Sequence, residues 1–337
     1  MLKRKNFLII LSLVILSVII IYGWSLNKKS DELAEYIEGN NPDIPTLVFY
    51  TTGLSTTPQI PFWAALRKGE FEGLFNLRVR MWRNTDDLQS VILAGKGDIW
   101  LGHTEGFAMA AKRGAPVSVI AITGWRKFYI ITSRKDYNGI ESLRNRTVVY
   151  APPGSPGIAI FNKIIKGRIE GIKLQPSQGK ELQMMMLCGK ADTAILPEPL
   201  VTMLLLKNPD LRVVESLEEL YGRERGTSPL MPLAGFAVNR NTAEKYPEIV
   251  KAIQESIIRN SLELKDKKLE AVKYLPEYFE KDISPEVALH SLDRDVILSK
   301  RGTDCAEEIN DYLKTAAPGL FDANGNPDLD SGFLWQD

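Results

Sequence analysis

The chain has 337 residues, 44% of them hydrophobic and 25% charged, which is enough apolar material for more than one packed unit and excludes a disordered or fibrous class. Lysine plus arginine and aspartate plus glutamate number 42 each, so no net field favours nucleic acid or anionic lipid, and no nucleic-acid partner is expected. Two cysteines, Cys188 and Cys305, do not make a disulfide scaffold; both read as small residues buried in helices.

Lys3, Arg4 and Lys5 precede "NFLIILSLVILSVIIIYGWSLN" (6–27), a run without charge. At about 1.5 Å per helical residue it reaches across a hydrocarbon core of roughly 30 Å. The basic residues hold the N-terminal end in the cytoplasm and place the chain beyond Lys28 outside the inner membrane. Residues 1–29 therefore read as a membrane anchor. The alternative is a signal peptide cleaved near Gly23, Trp24 and Ser25. The expected location is the periplasm or the extracytoplasmic face of the inner membrane, and membrane contact is expected through this segment alone. Residues 30–44 read as a polar spacer.

From Pro45 onward, short β-branched or aromatic runs alternate with helical patterns, the mark of an α/β fold with a largely parallel sheet. The expected strands are "TLVFYT" (46–51), "LRVRMW" (77–82), "DIWLG" (98–102), "VSVIAIT" (117–123), "FYIITS" (128–133), "TVVYA" (147–151), "DTAIL" (192–196), "LRVVE" (211–215) and "GFAVN" (235–239). Helices are expected over 61–70, 85–94, 104–113, 156–166, 179–188 and 198–207. Beyond Asn239 the chain reads as almost purely helical, with Asn241 and Ser284 as N-caps and "SPEVALHSLDRDVILSK" as one of the helices.

An internal echo organises this series. Residues 88–98 read "LQSVILAGKGD" and residues 182–192 read "LQMMMLCGKAD", each an amphipathic helix stopped at a glycine and continued by a strand. The first strand runs into His103, Thr104 and Glu105, and the second into Pro197, Glu198 and Pro199. Open parallel sheets bind ligands beyond the carboxyl ends of their strands, which is where both echoed loops fall.

The chain resembles the substrate-binding proteins of ABC importers, in the nitrate, sulfonate and taurine group with its thiamine-precursor relatives. The resemblance is carried by "PFWAALRKGEFEG", "LAGKGDIWLG", the G-x-P-V turn at 114–117, "IESLRNRTVVYAPPGSPG" and "GKADTAILPEPLVTMLL". It implies the type II two-lobed periplasmic binding protein fold, each lobe a mostly parallel sheet flanked by helices, with a helical C-terminal third. Lobe one would hold 45–125 and 235–337, and lobe two 126–234, with hinge strands at both ends of the second.

Loops at the strand ends supply the expected ligand-binding residues. Pro197 and Pro199 fix Glu198 near a helix N-terminus, where it would meet the ligand or bridge the lobes, unless it only caps its own helix. In "APPGSPG", Ser155 reads as an N-cap, with free amides at Gly154, Ser155 and Gly157 turned towards an anion. Thr51, Thr52 and Gly53 open a hydroxyl-rich turn, His103 and Thr104 follow the first echo, and Thr123 precedes Trp125, which would stack on the ligand or pack the hinge. The cues conflict over ligand charge: the Ser-Pro-Gly start favours an anion, whereas Glu198, Glu105 and the tryptophans suit a neutral or cationic compound.

Enzyme signatures are scarce, since His103 and His290 stand far apart in sequence and no G-x-S-x-G or H-E-x-x-H spacing occurs. No cofactor and no metal are expected, and "DANGNPDLDSGF" (322–333) reads as a turn rather than a calcium loop, with Pro327 where a glycine is required. The expected function is therefore capture of a small organic or anionic solute and its delivery to an ABC permease in the inner membrane by a monomer. A ligand-sensing module of the same fold is the alternative. A pyrimidine-forming enzyme comes third, lacking the cysteine-rich motif of those relatives.

Overall fold

The computed structural model describes residues 35–165, 168–279 and 283–337. The segment read as an anchor or signal peptide lies outside the described residues, and among them no helix is long and apolar enough to cross a membrane. Every strand expected from Thr46 onward is present: β2 (Thr46–Thr52), β3 (Asn76–Trp82), β4 (Ile99–His103), β5 (Val117–Gly124), β6 (Phe128–Thr132), β7 (Thr147–Tyr150), β9 (Thr193–Pro197), β10 (Arg212–Ser216) and β11 (Ala234–Asn239). Three short strands join them, namely β1 (Glu35–Glu38), β8 (Lys173–Pro176) and β12 (Lys300–Arg301). β1 lies inside the stretch read as a spacer. It pairs with β3, and Glu35 and Glu38 reach Arg80 and Arg67 at 2.7 and 2.8 Å.

The strands form two sheets, ordered β1-β3-β2-β4-β11-β5-β12 and β10-β6-β9-β7-β8. In the first, β2 runs parallel to β3 and β4, while β11 lies antiparallel between β4 and β5. It follows that β2, β3, β4 and β5 share one direction against β11. The second repeats the plan, with β7, β8, β9 and β10 in one direction and β6 inserted against them. The two echoed strands, β4 and β9, occupy the same place in their sheets, each beside the inserted strand. Short helices make the crossovers, as parallel pairing requires.

Strand periodicity divides the core. Phe49 faces one cluster with Phe62, Trp63 and Phe236, while Tyr50 faces another with Trp100, Trp125 and Tyr312. β6 does likewise, sending Tyr129 and Ile131 to one face and Phe128 and Ile130 to the other. The cluster holding Trp125 runs without a break from Trp100 beneath the first sheet to Ile160 and Phe161 beneath the second. Each such fully buried large side chain contributes roughly 1.5–3 kcal/mol, so this shared cluster is a main tie between the sheets.

Several expectations are corrected. The N-cap after β11 is Asn239, whose side chain accepts the Asn241 N–H, so Asn241 sits inside the helix Arg240–Lys245. Ser284 does cap its helix, accepting the Val287 N–H at 3.3 Å, but that helix ends at Ser291 and the chain turns through 292–299 to reach β12. The sequence after Ser291 carries Asp293, Arg294 and Asp295, whose charges are drawn to partners in neighbouring segments rather than stacked along a helix. Cys305 is buried, as expected; Cys188 is exposed just past the end of its helix. Residues 322–326 form a turn in which Asp322 Oδ1 accepts the N–H groups of Asn324 and Asn326.

Candidate functional site

The chain passes between the sheets along two segments that bond to each other. The Trp125 carbonyl accepts the Met231 N–H at 2.9 Å, and the Gly124 carbonyl accepts the Leu233 N–H at 2.9 Å. Strand ends gather on this crossing. Thr104 N–H donates to the Leu233 carbonyl at 3.1 Å, which brings the end of β4 beside that of β5. A methyl at Gly124 would stand 3.0 Å from Pro58, so the loop after β2 packs there as well. From the second sheet, Glu198 N–H donates to the Lys127 carbonyl at 2.9 Å, and a methyl at Gly157 would meet the Phe128 ring at 2.6 Å. The carboxyl-end loops of both sheets thus meet around residues 124–128.

Buried hydrogen bonds and ion pairs position the crossing. Glu218, fully buried, accepts the N–H groups of Lys127 and Phe128 on one oxygen, each at 2.8 Å, and the Ser216 hydroxyl on the other at 2.9 Å. Burial pushes its carboxyl above the ordinary range against these bonds, because desolvation outweighs them. Lys127 Nζ pairs with Asp295 at 2.8 Å, and Arg294 Nε with Glu198 at 2.6 Å. None of Lys127, Glu218, Arg294 and Asp295 was expected from sequence. Their spacing carries no motif, since each pairing depends on elements brought together only by the fold.

The expected site residues divide by what their polar atoms do. Thr51 Oγ1 donates to Gln59 Oε1 at 2.6 Å, and Thr52 Oγ1 accepts the Leu54 N–H at 3.2 Å, so these hydroxyls brace their own loop beside Gly53. His103 ends β4 with Nδ1 3.6 Å from Glu105, whose other oxygen accepts the Tyr312 hydroxyl at 2.8 Å. Glu198 is buried; it accepts the Thr202 N–H at 3.0 Å as well as Arg294, so it both caps its helix and bridges to residues near the C-terminus. Burial raises its carboxyl pKa. Gly154 is exposed with φ 72°, a left-handed turn glycine. Ser155 N–H donates to the Pro152 carbonyl at 3.2 Å, so that amide is not free as expected.

Thr104, Thr123, Trp125 and Ser155 behave differently. They are 0%, 1%, 1% and 4% exposed, and among the described residues Thr104 Oγ1, Thr123 Oγ1, Trp125 Nε1 and Ser155 Oγ have no hydrogen-bond partner. Buried polar groups are nearly always paired, so a cluster of orphans marks a place prepared for polar atoms from elsewhere. Nearby, Glu198 is paired with Arg294 and Lys127 with Asp295, whereas Glu105 accepts the neutral Tyr312 hydroxyl. The unpartnered atoms at the crossing are thus three hydroxyls and an indole N–H, with Arg126 Nε, whose guanidinium is also paired with Glu219, beside them.

Two concavities lie elsewhere. One of about 310 Å3 is lined by Lys251, Gln254, Arg301 and Trp335. Another of about 170 Å3 is lined by Ile164, Arg168, Leu220 and Arg223. Neither includes an expected site residue, and Lys251 and Arg168 are already paired with Asp337 and Glu224. Most of the buried unpartnered polar atoms lie at the crossing instead, with Arg78 Nε and Tyr137 Oη apart from it.

A family model described as NMT1/THI5 like matches residues 57–262. An ABC transporter structure from Parabacteroides distasonis aligns with a TM-score of 0.66 at 16% identity, covering 87% of this chain and 99% of that one. The periplasmic aliphatic sulphonate binding protein SsuA from Escherichia coli aligns at 0.65 with 12% identity, covering 88% of this chain and 93% of that one. The periplasmic nitrate-binding protein NrtA from Synechocystis PCC 6803 aligns at 0.60 with 12% identity, covering 82% of each chain. At such identities the likeness carries the fold. No curated protein matches the sequence.

Proposed function

Because the chain belongs to the NMT1/THI5-like family, we propose that it is an extracytoplasmic solute-binding protein, not an enzyme, that delivers a small solute to an ABC permease. The observation that carries this reading is the set of buried, unpartnered polar atoms on Thr104, Thr123, Trp125 and Ser155 where the two sheets meet. Lobe one comprises 45–125 and 235–337 and lobe two 126–234, and the crossing segments act as the hinge. A solute touching both lobes only when they are shut shifts the equilibrium towards the closed form by its differential affinity. Two solved relatives are named for a sulphonate and a nitrate, and both anions present several acceptor oxygens. That suits a site of neutral donors, as does an uncharged acceptor-rich ring. The pairing of Glu198 with Arg294 removes that carboxylate as a partner for a cationic amine.

The N-terminal run serves as an anchor or a cleaved signal in this reading, and the protein works as a monomer. If uncleaved, the N-terminal segment keeps the lobes near the permease and raises their effective concentration there. Thermal unfolding of the full chain, in detergent, tests the proposal against alkanesulfonates, nitrate, bicarbonate, pyrimidines and amines. A solute at about a hundredfold over its Kd adds roughly 2.7 kcal/mol. A saturable rise with an anion or a pyrimidine is expected; a rise with amines alone overturns the charge argument, and none with any compound overturns the reading.

A further inference from the structure

We propose that Ser299, on the turn leading into β12, is a specificity-determining contact of the solute site, acting with Thr123 on a single acceptor group of the solute. This deepens the solute-binding reading above and rests on it. Lys300 and Arg301 pair antiparallel with Ile122 and Ala121. Ser299 immediately precedes this short ladder, and Thr123 immediately follows Ile122 in β5, where the β11 register skips it, so the two residues adjoin at the end of the pairing.

Ser299 is 6% exposed and Thr123 1%, and neither hydroxyl has a hydrogen-bond partner among the described residues. Two adjoining buried hydroxyls, each without a partner, can be satisfied together by one polar atom brought by the solute. Trp125, two residues on from Thr123, adds an indole N–H that can only donate. The group these three recognise is therefore an oxygen or nitrogen acceptor, such as a sulfonate, nitrate or carbonyl oxygen. The turn that carries Ser299 is fixed, because Asp295 holds Lys127 at 2.8 Å and Arg294 holds Glu198 at 2.6 Å. The C-terminal third thereby lends the site a side chain.

The test is calorimetric titration of the full chain and of Ser299→Ala, Ser299→Thr and Thr123→Val with ethanesulfonate, nitrate and a hydroxymethylpyrimidine. Ser299→Ala is expected to weaken the probe that binds about three- to tenfold. Its melting temperature should be unchanged or higher, since the substitution removes an unpaired buried hydroxyl. Ser299→Thr, which keeps the hydroxyl, should recover part of the loss. The double variant with Thr123→Val should lose less than the product of the single effects, because both act on one atom.

Unchanged affinity in Ser299→Ala, with wild type binding a probe, overturns this subsite alone. Unchanged affinity with a lowered melting temperature also overturns it, assigning the hydroxyl to a structural water. No binding by wild type overturns the solute-binding reading and the subsite with it.

Discussion

Glu198 accepts the Nε–H of Arg294 at 2.6 Å while only 2% exposed, across 96 positions of sequence. The same guanidinium donates to the Thr202 hydroxyl, and the Tyr129 hydroxyl donates to the Arg294 carbonyl, so β6, β9 and the turn after Ser291 are held at one point. Glu198→Ala removes the acceptor and leaves a partly desolvated cation. The Arg294 side chain keeps 26% of its exposure, so the cost should fall below that of a fully buried pair, at about 2 kcal/mol. Glu198→Gln, which still caps the helix through Thr202 N–H, should lose about half as much. Urea denaturation of the three proteins measures this; equal stability of Glu198→Ala and wild type would show the pair to be idle.

Glu218 gives the molecule a pH dependence of definite sign. Burial raises its carboxyl above the ordinary 4.5, and Glu198 is shifted the same way. In the window above 4.5 the native state keeps a proton that the unfolded chain has lost, so stability falls as the pH rises through that window and levels off beyond the raised value. Glu218→Gln can still accept both N–H groups and should flatten this slope at little cost. Glu218→Ala leaves the N–H groups of Lys127 and Phe128 unpaired and should cost about 3 kcal/mol. Melting temperatures of wild type and Glu218→Gln from pH 4 to 8 decide it: a difference that moves in favour of wild type as the pH rises would contradict the sign.

The difference between what sequence reveals and what it hides has a physical basis in these residues. β2, β5 and β11 were readable because a buried strand must be built of side chains such as those of "TLVFYT" and "GFAVN". β1, β8 and β12 were not, since "EYIE", "KLQP" and "KR" are held as edge strands by a neighbour's backbone and carry little pattern of their own. The echoed helix-turn-strand units foretold the matching places of β4 and β9. Sequence did place Thr104 and Ser155 just after strands and Thr123 at the end of one, which is where they stand. The ion pairs were not: Lys127 and Asp295 stand 168 positions apart, and pairing at that separation is decided by the packing of helices rather than by local spacing. Glu198 was read as a ligand or bridging group, with capping of its own helix as the alternative; its anchoring prolines were visible in sequence and its partner Arg294 was not.

Gly235 tests the inserted strand of the first sheet. A Cβ there would stand 2.2 Å from the Ala121 carbonyl oxygen, at a position where the β11–β5 register shifts. Backbone of a central strand cannot swing aside, so Gly235→Ala should cost about 3 kcal/mol, the upper end for overpacking. At Gly157 the obstacle is the Phe128 ring at 2.6 Å, a side chain able to shift. Gly157→Ala should cost about 1 kcal/mol. Melting temperatures of both variants check the order, and the reverse order would mean that β11 yields more easily than the ring.

Trp125 separates packing from recognition in a single side chain. Its ring is 1% exposed within the cluster that joins the two sheets, with Lys300 Nζ 4.9 Å from the ring centroid, while Nε1 has no partner among the described residues. Trp125→Phe keeps an aromatic ring and deletes the N–H; stability should fall by about 1 kcal/mol, and affinity for a bound anion or pyrimidine should fall about three- to tenfold. Trp125→Ala removes the ring and should cost about 3–5 kcal/mol. Calorimetric affinity and melting temperature, taken on the same samples, resolve the two effects. If Trp125→Phe binds as tightly as wild type, the indole is a hinge residue and the solute is read by the hydroxyls alone.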